Sequence, residues 1–346
     1  MISYQESIRK INHYRIRCAQ ELSFLTGFDF GKPTFTILIM THRCNARCKH
    51  CHIWKNRPSE ELTSKDWFRT LDELQDWLGP VFISFTGGET LLKENMIDIL
   101  RHAVELGLEV EFLTNGYLMD DTVALDVVKT GVQGVQISLD GSAPDTHNFI
   151  RGRNDFFAKT TSALQSLARY RNEFNQHLKI VAKATIMSHN LDELTGIARW
   201  AKDNNITGVK YQAIEQIYGQ ERDPDWYKNC DLWINANNKV AEVMDELISM
   251  KRNGYPILNT VENLEFVKGY FAKPELYTRE IHSHTYGNQK NRCKAWANTL
   301  MIYPNGDLRM CYQMSPFGNA KNGHIRTLWE KRARCWKKPC KYFEQF

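Results

Sequence analysis

Three thiols lie within eight residues of one another in Cys44-Asn-Ala-Arg-Cys48-Lys-His-Cys51, with His52-Ile53-Trp54 directly behind. Three cysteine thiolates hold three irons of a [4Fe–4S] cube and leave the fourth open to a small chelating ligand, whereas four would close it. The competing arrangement is a zinc knuckle with His50 or His52 as fourth ligand, since zinc takes tetrahedral sets of thiolate and imidazole. Nine cysteines in a chain of 346 residues, opening on Met-Ile-Ser-Tyr-Gln-Glu without an apolar signal core, read as metal ligands rather than disulfides. The expected compartment is a reducing cytoplasm.

The loop needs something rigid to present it. It follows an apolar, β-branched run at 35–40, and similar runs recur at 81–85, 108–113, 135–139, 180–186 and 208–212. Helical periodicity fills the gaps near 64–78, 93–107, 119–130, 156–172 and 191–204, and returns near 235–252. This alternation predicts an α/β fold with a parallel sheet and right-handed crossovers, with too few strands for a closed eight-strand barrel. Barrels of this kind keep their chemistry at the C-terminal ends of the strands.

The short motifs fall at those ends. Thr86-Gly87-Gly88-Glu89 follows the second run: glycines let backbone carbonyls approach a ligand closely, and Glu89 adds a carboxylate. Thr114-Asn115-Gly116 follows the third, where a helix-capping turn is the plainer role. Ser138-Leu139-Asp140-Gly141 follows the fourth, with His147 and Arg151-Gly152 beyond it, and Thr185-Ile186 ends the fifth. Arg151 suits a bidentate clamp on a carboxylate, or else is a surface loop charge.

Spacing and order together resemble the radical S-adenosylmethionine (SAM) superfamily, over residues 35–340. The resemblance implies a partial (β/α)6 TIM-type barrel and a [4Fe–4S] cluster at Cys44, Cys48 and Cys51 whose open iron chelates SAM. It implies SAM contacts at Gly87, Gly88, Glu89, Asn115, Ser138, Asp140, Arg151 and Thr185: the Gly-Gly-Glu motif on the methionine ammonium, Ser138 on the ribose, Arg151 on the carboxylate, Thr185 on the adenine side. Asn45, Ala46 and His50 would cover the cluster. The implied reaction is reductive cleavage of SAM to methionine and a 5′-deoxyadenosyl radical, which takes hydrogen from an unactivated C–H bond. The electron would come from a flavodoxin- or ferredoxin-type donor.

Downstream, Cys293 and Cys311 flank two short apolar runs around Pro304-Asn305-Gly306-Asp307, a hairpin turn, and Cys335 and Cys340 follow Leu328-Trp329. This resembles the SPASM/Twitch extension of the superfamily. Four cysteines correspond to the shorter Twitch form with one auxiliary [4Fe–4S] cluster, the alternative being zinc. The expected organisation is an N-terminal helical extension over 1–30, the core barrel over 31–215, a connecting helical region over 216–290, and a β-hairpin plus helix Twitch/SPASM-like domain over 291–346.

Two thiols remain. Cys18, in the helical stretch 3–25, is expected to be buried. Cys230 is either a small buried hydrophobe or a hydrogen-atom donor to a substrate radical, as in some related epimerases. His282 and His284 are a possible base or metal pair in a loop. An auxiliary cluster suits an oxidative outcome, dehydrogenation or crosslinking of a small molecule or peptide. The second outcome is redox-neutral, epimerisation or adenosyl addition. Some thirty residues ahead of the barrel are too few for a leader-peptide domain, so a peptide substrate would be delivered by a separate partner.

Composition adds bounds. Hydrophobic content of 42% and charged content of 25% are those of an ordinary globular protein. No apolar stretch approaches the roughly 18 residues of a membrane span. The net charge of +5 is mild, and the basic cluster near 331–341 belongs to no recognisable nucleic-acid motif. A non-enzymatic metal-binding adaptor on a degenerate barrel is the rival of another class, and it would have no use for the strand-end motifs.

Overall fold

The elements follow the predicted alternation closely in the structure, a computed structural model that describes residues 14–23, 31–56, 60–216, 223–278, 295–312 and 314–332. They run α1 (14–23), β1 (Phe35–Ile39), α2 (Ser64–Leu78), β2 (Phe82–Thr86), α3 (Met96–Glu105), β3 (Glu109–Thr114), α4 (Asp121–Lys129) and β4 (Gly134–Ser138). Then come α5 (Pro144–Arg151), α6 (Phe156–Phe174), β5 (Lys179–Ile186), α7 (Leu194–Asp203), β6 (Gly208–Ala213), α8 (Asn237–Arg252) and α9 (Val261–Ala272). Strands β7 (Thr299–Ile302), β8 (Asp307–Arg309) and β9 (Gly318–Asn319) precede a last helix, Ile325–Lys331. The described residues form two compact units, one from 14–42, 60–111 and 295–332, the other from 43–56 and 112–278.

In the first unit the strand order is β2-β1-β7-β8-β9. Strand β1 is parallel to both neighbours, with Thr36 opposite Ile83 of β2 and Leu300 of β7. The C-terminal hairpin expected from Pro304-Asn305-Gly306 is present, with Met301 opposite Arg309, and its first strand adds to the β1 edge. That covers a run of backbone N–H and C=O groups which an exposed edge would leave open to a foreign strand. Helix α2 starts on a capping box between Thr63 and Asp66 and buries Trp67, Leu71, Leu74 and Trp77. In α1 the thiol of Cys18 is exposed, contrary to expectation: Ile16, Gln20 and Ser23 are the buried positions, and Cys18 lies off that face.

In the second unit the order is β6-β5-β4. Strands β4, β5 and β6 are parallel, with Ser138 opposite Lys183 and Thr185 opposite Gln212. The outer side of β6 is not left bare. Val209 exchanges backbone bonds with Pro256 and Leu258, and the Asn259 amide bonds both the N–H and C=O of Tyr211 at 2.8 Å, acting as one more strand residue.

Among the described helices of eight residues or more, two were not visible in the pattern. Helix α5 buries His147, Ile150 and Arg151, so its inward stripe is mostly polar. Helix α9 buries Leu264, Val267, Tyr270 and Phe271 but carries Gly269 in its last turn, which reads as a break. No described helix is long and apolar enough to cross a membrane.

Candidate active site

The second unit carries the cysteine loop, the Asn115 turn and the ends of β4 and β5. The loop gains its shape from α5. Arg47 N–H donates to the Arg151 carbonyl at 3.0 Å and Lys49 N–H to the Ile150 carbonyl at 2.9 Å, so the last turn of α5 grips the chain on both sides of Cys48. These are carbonyls that a helix end leaves without intrahelical partners. Inside the loop Arg47 reaches back to the Cys44 and Ala46 carbonyls and lies over the Trp54 ring, whose N–H donates to the Cys51 carbonyl. Ala46, Cys48 and Phe156 form a buried cluster, with Cys44, Cys51 and Tyr117 packed on it.

The sulfurs have donors. Ala46 N–H points at Cys44 Sγ at 3.4 Å, Asn115 Nδ2 lies 4.0 Å from the same sulfur, and Arg151 Nη1 donates to Cys48 Sγ at 3.5 Å. Asn115 Nδ2 also donates to Asn45 Oδ1 at 2.7 Å. Burial pushes the Cys48 and Cys51 thiols up, and it pushes the His50 imidazole down to about 4. Two thiols that resist ionising alone, Cys48 buried and Cys51 half-buried, in a loop with N–H donors suited to thiolate sulfur, fit cysteines that lose their protons to bound metal. His50 stays a neutral ring. Among the described residues, no three His, Cys, Asp or Glu side chains converge on a single ion.

Behind the loop stands a buried polar network. Asp140, fully buried, pairs with Arg151 Nη2 at 2.5 Å and accepts the Thr185 N–H at 2.9 Å through its other oxygen. Its N–H donates to His147 Nδ1 at 3.0 Å, and its carbonyl accepts from Asn190 Nδ2 at 2.7 Å. Burial works against the Asp140 charge, but Arg151 and then the histidines outweigh it, and the carboxyl lies below its usual range. Glu193 fixes the start of α5 by accepting from the N–H groups of Ser142 and Ala143 at 2.7 and 3.0 Å and from the Thr146 hydroxyl.

Of the residues expected to contact SAM, the structure brings Asp140, Arg151 and Thr185 into one chain of contacts ending on the Cys48 sulfur. Asn115 meets Cys44, and Ser138 stands half-buried at the end of β4. Asn190 and Glu193, which hold this group in place, escaped the sequence reading. Their signal was the polar Asn190-Leu-Asp-Glu193 that directly follows Met187-Ser-His.

The Gly-Gly-Glu motif lies in the first unit. Gly87 has φ +151°, and a Cβ there would stand 2.5 Å from the Thr41 carbonyl oxygen. Gly88 N–H donates to that same oxygen at 2.8 Å. Only a glycine allows this approach. Glu89 is fully buried and accepts the Leu91 N–H at 3.0 Å. The tight backbone and buried carboxylate fit a cradle for an ammonium group. Cys311 is buried beyond β8 in the same unit, while Cys293, Cys335, Cys340, His282 and His284 lie outside the described residues.

Cys230 is half-buried and lines a cavity of about 360 Å³ in the second unit, together with Lys49 of the cysteine loop, Phe149 of α5, His189 and Trp226. Burial pushes this thiol up as well, so it stays protonated.

Comparison with known proteins places these features. The radical SAM superfamily profile matches residues 38–210, half of the chain. The AdoMet-dependent heme synthase of Methanosarcina barkeri is 25% identical over 84% of this chain and 80% of its own length. A PqqA peptide cyclase of Bradyrhizobium diazoefficiens is 26% identical over 56% of this chain, which spans about half of that enzyme. The crystal structure of Streptococcus suis SuiB bound to its precursor peptide SuiA superposes with a TM-score of 0.65 over 90% of this chain and 67% of SuiB, at 17% identity, a likeness of fold. With the cysteine spacing, the strand-end motifs and the parallel β/α alternation in agreement, the chain belongs to the radical SAM superfamily, enzymes built around a [4Fe–4S] cluster and SAM.

Proposed function

We propose that this enzyme removes a hydrogen atom from an unactivated C–H bond of a peptide or small molecule and carries the substrate on to an oxidised product, by dehydrogenation or crosslinking. The observation that carries the reading is the loop at Cys44, Cys48 and Cys51, clamped by α5 and supplied with N–H donors to its sulfurs. The cluster and SAM, when bound, supply one-electron cleavage of the sulfonium and a 5′-deoxyadenosyl radical. The protein's part is placement and exclusion of water. Cys44, Cys48 and Cys51 would hold the cluster. Gly87, Gly88 and Glu89 would take the ammonium of SAM, and Asn115 and Ser138 would line its pocket.

The relatives support both substrate classes. One is named for heme, one for a peptide cyclisation, and SuiB has been crystallised with its precursor peptide. Oxidation of the substrate releases one further electron. We assign its acceptance to an auxiliary cluster at Cys293, Cys311, Cys335 and Cys340, in a C-terminal domain over 291–346, with a flavodoxin- or ferredoxin-type protein as the donor that starts the cycle.

A second reading has an observation of its own. Cys230 is a protonated thiol on the wall of a cavity that the cysteine loop also lines, as a donor returning hydrogen to a substrate radical would be. The outcome would then be epimerisation, without net loss of electrons. Cys230→Ala with unchanged product removes this reading, whereas lost epimer with 5′-deoxyadenosine still formed supports it.

The experiment for the main reading is anaerobic. Reconstituted protein, SAM and a strong reductant are incubated and 5′-deoxyadenosine is followed by mass spectrometry, beside Cys48→Ser. Formation by the wild type alone is expected. Zinc bound in place of iron, with no cleavage, overturns it.

A further inference from the structure

The guanidinium of Arg151 is held on two sides. Nη2 pairs with Asp140 and Nη1 donates to Cys48 Sγ, while the backbone carbonyls of Ile150 and Arg151 take the N–H groups flanking Cys48. Arg151 is 7% exposed and Asp140 fully buried, so the charges act with little solvent screening. Asp140 is itself pinned by Thr185 N–H, and its backbone by His147 and Asn190. The result is a cation aimed at one ligand sulfur, with its counter-charge fixed on the far side.

We infer that Arg151 and Asp140 form an electrostatic pair that sets the reduction potential of the cluster through the Cys48 sulfur, Arg151 raising it and Asp140 moderating that rise. A charged N–H donor draws electron density from thiolate sulfur and favours the reduced cluster, which carries one more negative charge. Hydrogen bonds to ligand sulfurs and nearby charge are among the levers by which proteins tune such clusters. In this assignment Arg151 and Asp140 are positioning residues acting through Cys48, and Thr185 serves by its backbone. The inference rests on the cysteine loop holding the cluster.

The test is a redox titration of the reconstituted protein, without SAM, followed by electron paramagnetic resonance of the reduced cluster. Arg151→Gln, which removes the charge, should shift the midpoint to more negative potential. Asp140→Asn, which removes the counter-charge and keeps an oxygen for Thr185 N–H, should shift it to more positive potential. Arg151→Lys should stay nearer the wild type than Arg151→Gln. A merely structural role predicts no such opposition of sign, so shifts in the same direction, or none, overturn the inference.

A measurement on the wild type guards against variants that fail to fold. Protein labelled with guanidino-15N arginine should show a 15N hyperfine coupling in the electron spin echo of the reduced cluster. Absence of that coupling overturns the inference whatever the variants do. Wild-type protein that binds no iron would overturn the cluster reading along with it, whereas a cluster of unchanged potential in the variants overturns this inference alone.

Discussion

A Cβ placed on Gly152 would stand 2.9 Å from both the Cβ and the carbonyl oxygen of Arg47, in the middle of the cysteine loop. Gly152 also has φ +77°, the left-handed conformation that ends α5. Helix end and cysteine loop therefore touch at a point where no side chain fits. Gly152→Ala is expected to cost about 2–4 kcal/mol, from the left-handed conformation and the displaced Arg47 backbone together. Denaturant unfolding of the apo-protein and iron per chain after reconstitution should both fall. Full iron content at unchanged stability would show that the loop yields freely.

The other end of α5 rests on one carboxylate. Glu193 accepts from Ser142 N–H, Ala143 N–H and the Thr146 hydroxyl, at a helix start that lacks a side-chain cap of its own. Charge-assisted bonds to N-terminal amides are strong ones, and losing them leaves part-buried donors unsatisfied. Glu193→Ala should destabilise by about 2–3 kcal/mol. Asp192→Ala serves as the control, since Asp192 pairs with Lys239 at an exposed site and should change stability by under about 1 kcal/mol. Equal effects of the two would remove Glu193 from the support of the site.

The fold was legible because apolar, β-branched stretches of strand length, some continuous as in β1 and some alternating as in β3, recur between amphipathic helices. The ends of β1 to β6 fell within a residue of their predicted places, and the motifs with them, whereas the second strand of the C-terminal hairpin stops at Arg309, short of the expected Tyr312. What escaped was polar. The α5 helix has His147 and Arg151 on its buried face, so its inward stripe reads as a loop in any hydrophobic count. The partners of Arg151 escaped for a related reason. In sequence Asp140, Arg151 and Thr185 look like separate contacts to a ligand, and only three-dimensional contact shows that they link to one another and to the Cys48 sulfur. Pairing among buried polar groups has no period in sequence.

The C-terminal segment gives a third prediction, within the first unit. Trp329 is almost fully buried, donates its indole N–H to the Gly31 carbonyl at 3.0 Å and lies under the Arg332 guanidinium, with Trp77 of α2 nearby. Trp329→Ala should cost about 3–5 kcal/mol. Trp329→Phe should recover much of that, losing the buried N–H bond at about 1–2 kcal/mol. Unfolding midpoints that fall equally for both would place the contribution in the hydrogen bond rather than in packing.

His147 makes the stability of the second unit depend on pH. Burial, then the neighbouring Arg151 charge, holds its imidazole down at about 3 against an ordinary 6.5, with Asp140 opposing. Its Nδ1 accepts the Asp140 N–H, which requires the neutral ring. In the folded protein the ring stays unprotonated as the pH falls, while the unfolded chain takes up a proton below about 6.5. The stability it contributes is therefore full above pH 6.5 and declines below it, by up to about 1.4 kcal/mol per pH unit, until about pH 3. His147→Gln keeps an acceptor for the Asp140 N–H but does not titrate. Between pH 7 and 5 the wild type should lose about 2 kcal/mol more than this variant, measured by denaturant unfolding of the apo-protein. Parallel losses in the two proteins would mean that His147 is protonated in the fold, and that the Asp140 N–H has another acceptor at low pH.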